Sequence, residues 1–95
     1  MVIRVHDVCG AADTAKQGDL LYAQLRVGLR DQDITTISFA GVDTATSSFM
    51  NASLVRLLQD MSFDDIKRRL RIIESTRQIN EMIKRRLTRE AQPAD

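Results

Sequence analysis

The stretch ISFAGVDTATSSFMNASLVRLL, residues 37–58, joins a strand pattern to a helix pattern through one short polar loop. In residues 33–42, Ile37 and Phe39 alternate with small side chains, which predicts a buried central strand that ends at Gly41. Beyond the loop, apolar residues recur at helical spacing and predict a helix from about Ser47 to Met61. These apolar positions are Met50, Leu54, Leu57, Leu58 and Met61.

Similar patterns lie on the N-terminal side of this stretch. The β-branched residues of VIRVHDV, residues 2–8, predict a first strand. Residues 13–33 predict a helix, because Leu21, Leu25 and Leu29 form one apolar stripe. Thr14 and Gln17 have the spacing of a capping box at its start. Gly18 weakens a helix interior, so a start near Asp19 is the alternative.

The C-terminal side adds a strand between two helices. Ser62 has the position of an N-cap for a short helix over residues 62–70, and residues 70–74 predict a third strand. Residues 75–90 predict a final amphipathic helix, in which Ser75 and Gln78 have capping-box spacing. Its apolar stripe consists of Ile79, Met82, Ile83 and Leu87.

The element order β-α-β-α-(α)-β-α predicts an α/β fold. Strands separated by helices favour right-handed crossovers, so we expect a mostly parallel or mixed sheet of three to four strands packed by helices. The length of 95 residues suits one domain, which we assign to residues 1–90, with a flexible tail over residues 91–95.

Composition points to an intracellular protein without a metal or cofactor. The chain has one cysteine, Cys9, and one histidine, His6, so it offers neither a disulfide framework nor a zinc ligand set. The N-terminus does not have the pattern of a signal peptide, and no apolar run reaches the roughly 20 residues of a membrane helix. We therefore expect a cytoplasmic location and no membrane association.

The residue pattern does not favour an enzyme. In a first strand, His6 and Asp7 would point to opposite faces, so they are poorly placed to act as a catalytic pair. The four glycines are scattered and form no phosphate-binding loop. An enzyme would need a pocket that contains His6 and a second polar partner.

Nucleic-acid binding is the alternative function that the charge distribution leaves open. Nine of the fourteen basic residues lie in the last third of the chain, and they could follow a phosphate backbone. No aromatic residue lies among them to stack on a base, and Glu74, Glu81 and Glu90 can pair with them. We expect a solvated helix surface rather than a nucleic-acid site. A homodimer formed through sheet edges or amphipathic helices also stays open.

Hydroxyl side chains precede the central helix at Thr44, Thr46, Ser47 and Ser48. A serine or threonine there can serve as an ordinary N-cap. The same position exposes backbone N–H groups that would stabilise a phosphate attached to one of these hydroxyls. The residues thus support either a cap alone or a cap combined with a phosphorylation switch.

The whole stretch of residues 37–58 resembles the STAS domain of bacterial anti-sigma-factor antagonists. In that family, a hydrophobic strand ends in Gly-Val, here Gly41-Val42, and an Asp-Ser-Ser-Gly motif opens the next helix. The closer resemblance is to a divergent branch, the STAS-like domain of unknown function, in which Ser-Ser-Phe replaces the motif. Residues 47–49 have that sequence, and residues 63–87 continue the resemblance.

The resemblance implies a non-catalytic regulatory role with a protein partner. STAS antagonists bind serine kinases of the histidine-kinase-like ATPase superfamily and are phosphorylated on the first motif serine. That position is Ser47 here, with Ser48 beside it, and both are phospho-acceptor candidates. The partner-binding candidates are Asp43, Thr46, Phe49 and Asn51.

This chain departs from the STAS motif at two positions. Thr46 stands where the STAS motif has its acid, and Phe49 stands where the motif has glycine. The bulk of Phe49 is expected to hinder a kinase at the helix start. Ser38 stands where the divergent branch often has an acid.

Overall fold

Three strands form one parallel sheet in the order β1-β2-β3, with β2 in the centre. The computed structural model describes residues 1–31 and 34–91. The strands are β1 Val2–Arg4, β2 Thr35–Ser38 and β3 Leu70–Ile73. The helices are α1 Val5–Cys9, α2 Ala15–Asp31, α3 Ser47–Ala52, the 3₁₀ helix η1 Val55–Gln59, α4 Phe63–Arg69 and α5 Arg77–Ala91. The predicted α/β class is confirmed, and the described residues contain no fourth strand.

The helices pack on one face of the sheet. Both crossovers step in the same direction, from β1 to β2 and from β2 to β3, so right-handed connections place their helices on the same side. Burial agrees, since Ile3 and Ile37 on that face are 3% and 0% exposed. Val2 and Ile73 on the other face are 59% and 43% exposed. The hydrophobic core therefore lies between the sheet and a single helical layer.

The N-terminal elements differ from the sequence prediction at one point. The first strand ends at Arg4, and His6 and Asp7 lie on α1, which Gly10 ends with a φ of 81°. For α2 the capping box is confirmed: the Gln17 N–H donates to Thr14 Oγ1 at 3.2 Å, and the Thr14 N–H donates to Gln17 Oε1 at 3.0 Å. The alternative start near Asp19 is wrong. The predicted end of this helix at residue 33 lies outside the described residues.

The helix predicted from Ser47 to Met61 is interrupted. α3 ends at Ala52, because the buried Ser53 hydroxyl donates to the Phe49 carbonyl at 2.7 Å and the Ser53 backbone leaves helical geometry. The chain then continues as η1, which keeps Leu54 and Leu57 in the core. The apolar spacing correctly predicted the burial of Met50, Leu54 and Leu57, whereas Leu58 and Met61 are only partly buried. The prediction of one continuous helix was wrong.

The last two helices begin at hydroxyl caps. Ser62 caps α4, as predicted, by accepting the Asp65 N–H at 3.1 Å. The capping box predicted at Ser75 and Gln78 is wrong, since the Ile79 N–H donates to Thr76 Oγ1 at 3.3 Å. The α5 stripe is confirmed in its packing: Ile79, Ile83 and Leu87 are buried, and Met82 packs against the core. Of the predicted tail, Ala91 ends α5, and residues 92–95 lie outside the described ranges.

Candidate functional site

The loop over residues 39–46 carries the chain from the carboxyl end of the central strand to α3. It turns tightly at first, as the Val42 N–H donates to the Phe39 carbonyl at 2.8 Å. Gly41 has a φ of 81°, which glycine adopts without steric cost. Val42 and Ala45 are buried, at 6% and 5% exposure, so the loop is anchored in the core at two points.

Residues at the start of α5 hold one side of this loop. The Gln78 amide pairs with the backbone of Ala45 in both directions: Oε1 accepts the Ala45 N–H at 3.0 Å, and Nε2 donates to the Ala45 carbonyl at 3.2 Å. The Thr76 hydroxyl donates to the Asp43 carbonyl at 2.6 Å. The sequence interpretation missed Gln78 in this role because spacing suggested a local capping box, whereas the side chain bonds across the fold.

Thr46 holds the other side of the loop and caps α3. Its N–H donates to the Ala12 carbonyl at 3.0 Å, and its hydroxyl donates to the Asp13 carbonyl at 2.7 Å. The same hydroxyl accepts the Phe49 N–H at 3.2 Å. Threonine thus performs the N-cap role that an aspartate could fill at the position where STAS motifs have an acid. These bonds occupy both the donor and an acceptor site of the Thr46 hydroxyl.

Phe49 lies on the inner side of α3. It is 0% exposed, so it cannot contact a partner, and its inclusion among the partner-binding candidates is wrong for this structure. The sequence interpretation expected the Phe49 ring to hinder access to the helix start, but the ring is buried and does not cover it. Gly18 of α2 makes this burial possible: a Cβ added there would lie 2.5 Å from the Phe49 carbonyl oxygen and 2.8 Å from Ala52 Cβ.

The outer side of α3 presents polar side chains to solvent. Ser47 and Ser48 are exposed at the first two positions of the helix, and Asp43 and Thr44 are exposed just before it. Asn51 is also exposed, and its Oδ1 accepts a hydrogen bond from Arg86 of α5. The structure therefore gathers most of the proposed site on one surface, which we call the α3 surface and define as Asp43, Thr44, Ser47, Ser48 and Asn51.

An acid does lie beside Ser38, although it comes from a different strand. The Ser38 hydroxyl donates to Glu74 Oε2 at 2.8 Å and accepts the Ala40 N–H at 3.3 Å. Glu74 follows β3 directly and has a φ of 54°. Sequence reasoning had assigned Glu74 to a salt bridge with nearby basic residues. The structure instead uses its carboxylate to bind the end of the central strand.

The histidine and cysteine lie outside the α3 surface. His6 packs against Gly41, since a Cβ added at Gly41 would lie 3.5 Å from the His6 ring. Burial raises the pKa of the Cys9 thiol, which donates to the Gln17 carbonyl at 3.2 Å, so Cys9 is a weak nucleophile at neutral pH. Within residues 1–31 and 34–91, no cluster of three His, Cys, Asp or Glu side chains could hold a metal ion.

The basic C-terminal third is partly neutralised by acids on its own helices. Arg77 pairs with Glu81 at 3.2 Å, as predicted, and Arg68 pairs with Asp65. The Glu90 side chain lies outside the described part of the chain. The expectation of a solvated helix surface rather than a nucleic-acid site stays a prediction. None of the helices that the structure describes combines the length and apolar character that crossing a bilayer requires.

The geometry defines the class of protein first: a small α/β domain whose central parallel strand leads through a fixed loop to an exposed serine pair. A family model described as a STAS-like domain of unknown function matches residues 17–80, about two thirds of the chain. The chain belongs to this family, which confirms the resemblance. The matched residues include the α3 surface together with Thr76 and Gln78. Comparisons with characterised proteins and with solved structures find no significant match.

Proposed function

We propose that this STAS-like domain is a non-catalytic regulatory module that binds a protein partner through the α3 surface. The observation that carries the proposal is the contrast within residues 43–51. Hydrogen bonds from α5 and from the segment before α2 fix the backbone, while the serine and asparagine side chains face solvent. A partner would meet a preorganised surface and would lose little affinity to ordering the loop.

The finer proposal is a phosphorylation switch at Ser47, operated by a histidine-kinase-like ATPase or another serine kinase. The Ser47 Oγ would attack the γ-phosphorus of ATP, ADP would leave, and a base of the kinase would take the hydroxyl proton. The product would gain nearly two negative charges at the first helical position, where backbone N–H groups lack helical partners. That change would alter how a partner docks on the α3 surface.

The neighbouring hydroxyls differ in their availability. Thr46 is engaged with Asp13 and Phe49, so phosphorylation there would break the cap. Ser47 and Ser48 are both exposed, and the motif position favours Ser47. Ser48 is therefore the matched control for Ser47, with the same side chain at the next helical position.

Intact-mass measurement after incubation with ATP and the histidine-kinase-like ATPase encoded nearest to its gene tests the switch. The expected result is a mass gain of one phosphate that Ser47→Ala abolishes and Ser48→Ala preserves. If the natural chain gains no mass and Ser47→Ala binds the ATPase as tightly as the natural chain does, the proposed switch is wrong. Binding that Asn51→Ala and Asp43→Ala also leave unchanged would reject the α3 surface as the docking site.

A further inference from the structure

One face of the sheet is left uncovered by every helix that the structure describes. The strand residues of this open face alternate with the core-facing residues of the three strands: Val2, Arg4, Thr36, Ser38, Arg71 and Ile73. The four at the corners, Val2, Arg4, Arg71 and Ile73, are exposed, whereas Thr36 is partly exposed and Ser38 is 2% exposed where it bonds to Glu74. The helix α2 packs on the opposite side, where Gly28 lies close to Thr35. Parallel sheets are normally covered on both faces, so the exposure of this one indicates a missing layer.

The strand register arranges the residues of the open face in two rows. Val2, Thr36 and Arg71 form one row across the strands, and Arg4, Ser38 and Ile73 form the next. The exposed apolar residues, Val2 and Ile73, therefore occupy opposite corners. The two arginines occupy the other corners.

Arg4 and Arg71 give the open face a positive charge. Neither Arg4 nor Arg71 has an acidic partner among the side chains that the structure describes, although four other arginines form ion pairs there. Glu74 supplies one negative charge at the carboxyl end, where it accepts the hydrogen bond of Ser38. Two unpaired guanidinium groups beside apolar side chains fit a partner that combines carboxylates with an apolar stripe.

The dimensions fit a single helix. With strands about 4.8 Å apart and about 3.3 Å per residue, Val2 and Ile73 lie about 12 Å from one another along the diagonal. Two turns of an α-helix span about 11 Å, so apolar side chains seven residues apart would cover this pair. Acidic residues on both flanks of such a helix would then lie over Arg4 and Arg71.

A second copy of the chain fits less well. The open face measures about 140 Å² from the same strand spacings, against about 800 Å² per partner in a stable interface. A second copy would also bring two further arginines towards Arg4 and Arg71 in the small area shared by the two sheets. Charge therefore favours an acidic helical partner over self-association.

We propose that the open face binds an acidic amphipathic helix of a partner protein, independently of the α3 surface. The apolar stripe of this helix covers Val2 and Ile73, and its flanking carboxylates pair with Arg4 and Arg71. The bound helix completes the second layer of the α/β sandwich.

Peptide titration tests the proposal. The probe is an acetylated and amidated peptide of about 18 residues, with leucines at helical spacing and glutamates on both flanks. Fluorescence anisotropy should give saturable binding to the natural chain that weakens with salt. A peptide with lysines in place of the glutamates, and a scrambled acidic peptide, should show no saturable binding.

Matched variants locate the site. Arg71→Glu and Ile73→Thr should each weaken binding of the acidic peptide at least tenfold, whereas Arg85→Glu and Leu20→Thr, at exposed positions on α5 and α2, should not. Thermal unfolding confirms that each variant folds. Ser47→Ala and Asn51→Ala should leave the affinity unchanged, which separates this proposal from the switch.

Three outcomes would overturn the proposal. The first is equal binding of the acidic and basic peptides, or binding of neither. The second is a loss of affinity in the α3-surface variants alone. The third is a dimer in sedimentation that Ile73→Thr dissociates, which would assign the open face to a second copy.

Discussion

The inner and outer sides of α3 are neighbours in sequence and opposites in physical role. Phe49 and Met50 are 0% exposed and pack into the core, whereas Ser47, Ser48 and Asn51 face solvent. The inner side fixes the position of the helix, and the outer side is exposed and available for the proposed partner binding. The comparison separates the residues that make the site possible from those that can act in it.

Removing the Phe49 ring should produce the largest effect. Phe49→Ala is expected to lower the free energy of unfolding by about 3–5 kcal/mol, because it removes a fully buried aromatic side chain and leaves a cavity. Urea denaturation followed by circular dichroism measures the change. A stable Phe49→Ala protein that loses only partner binding would contradict the inner assignment of Phe49.

Adding a methyl group at Gly18 tests the same packing from α2. Gly18→Ala should destabilise by about 1–3 kcal/mol, because the new Cβ would meet the Phe49 carbonyl and Ala52. The clash outweighs the gain of up to about 1 kcal/mol in helix propensity. Gln24→Ala, at an exposed position of the same helix, is the control and should be nearly neutral. A higher melting temperature for Gly18→Ala would show that the two helices are further apart.

Thr46 lies at the boundary between the two sides. Thr46→Ala should cost about 1–2 kcal/mol, since it removes the cap on the Phe49 N–H and the bond to Asp13. Thr46→Ser should restore most of this stability, and the isosteric Thr46→Val should not. Thermal unfolding of the three variants decides the matter, and equal melting temperatures would reject the capping role.

Ser47 should have the smallest structural effect. Ser47→Ala is expected to change the free energy of unfolding by less than about 0.5 kcal/mol, because the side chain is exposed and Thr46 supplies the cap. A loss of phosphate incorporation or partner binding in this variant would then be functional. A large drop in stability would instead place Ser47 among the residues that hold α3.

Most of the fold could be predicted from local patterns. The buried strand before Gly41, the capping box at Thr14 and Gln17, and the cap at Ser62 all depend on residues close in sequence. The errors came where a side chain had a distant or competing partner. Ser53 bonds back to Phe49 and ends α3 early, and Gln78 bonds to Ala45 instead of capping its own helix.

The sequence predicted the candidate site only as a segment of the chain. Tertiary packing decided which residues of that segment are exposed. The position of Ser47 and Ser48 at a helix start followed from hydroxyl residues preceding an apolar period. Which of residues 43–51 reach solvent depends on how α2 and α5 approach the loop, and this cannot be read from spacing. Phe49 was misassigned because its burial requires the close approach at Gly18.

The sequence alone predicted the main strands and helices in their order, a mostly parallel or mixed sheet and the place of the serine pair at a helix start, because periodicity and caps act over a few residues. Tertiary structure decided which hydroxyl caps α3, which acid meets Ser38 and which face of the sheet stays open. Those outcomes depend on atoms brought together from distant parts of the chain: Thr46 with Asp13, Ser38 with Glu74, and three strands whose two crossovers lie on one side of the sheet.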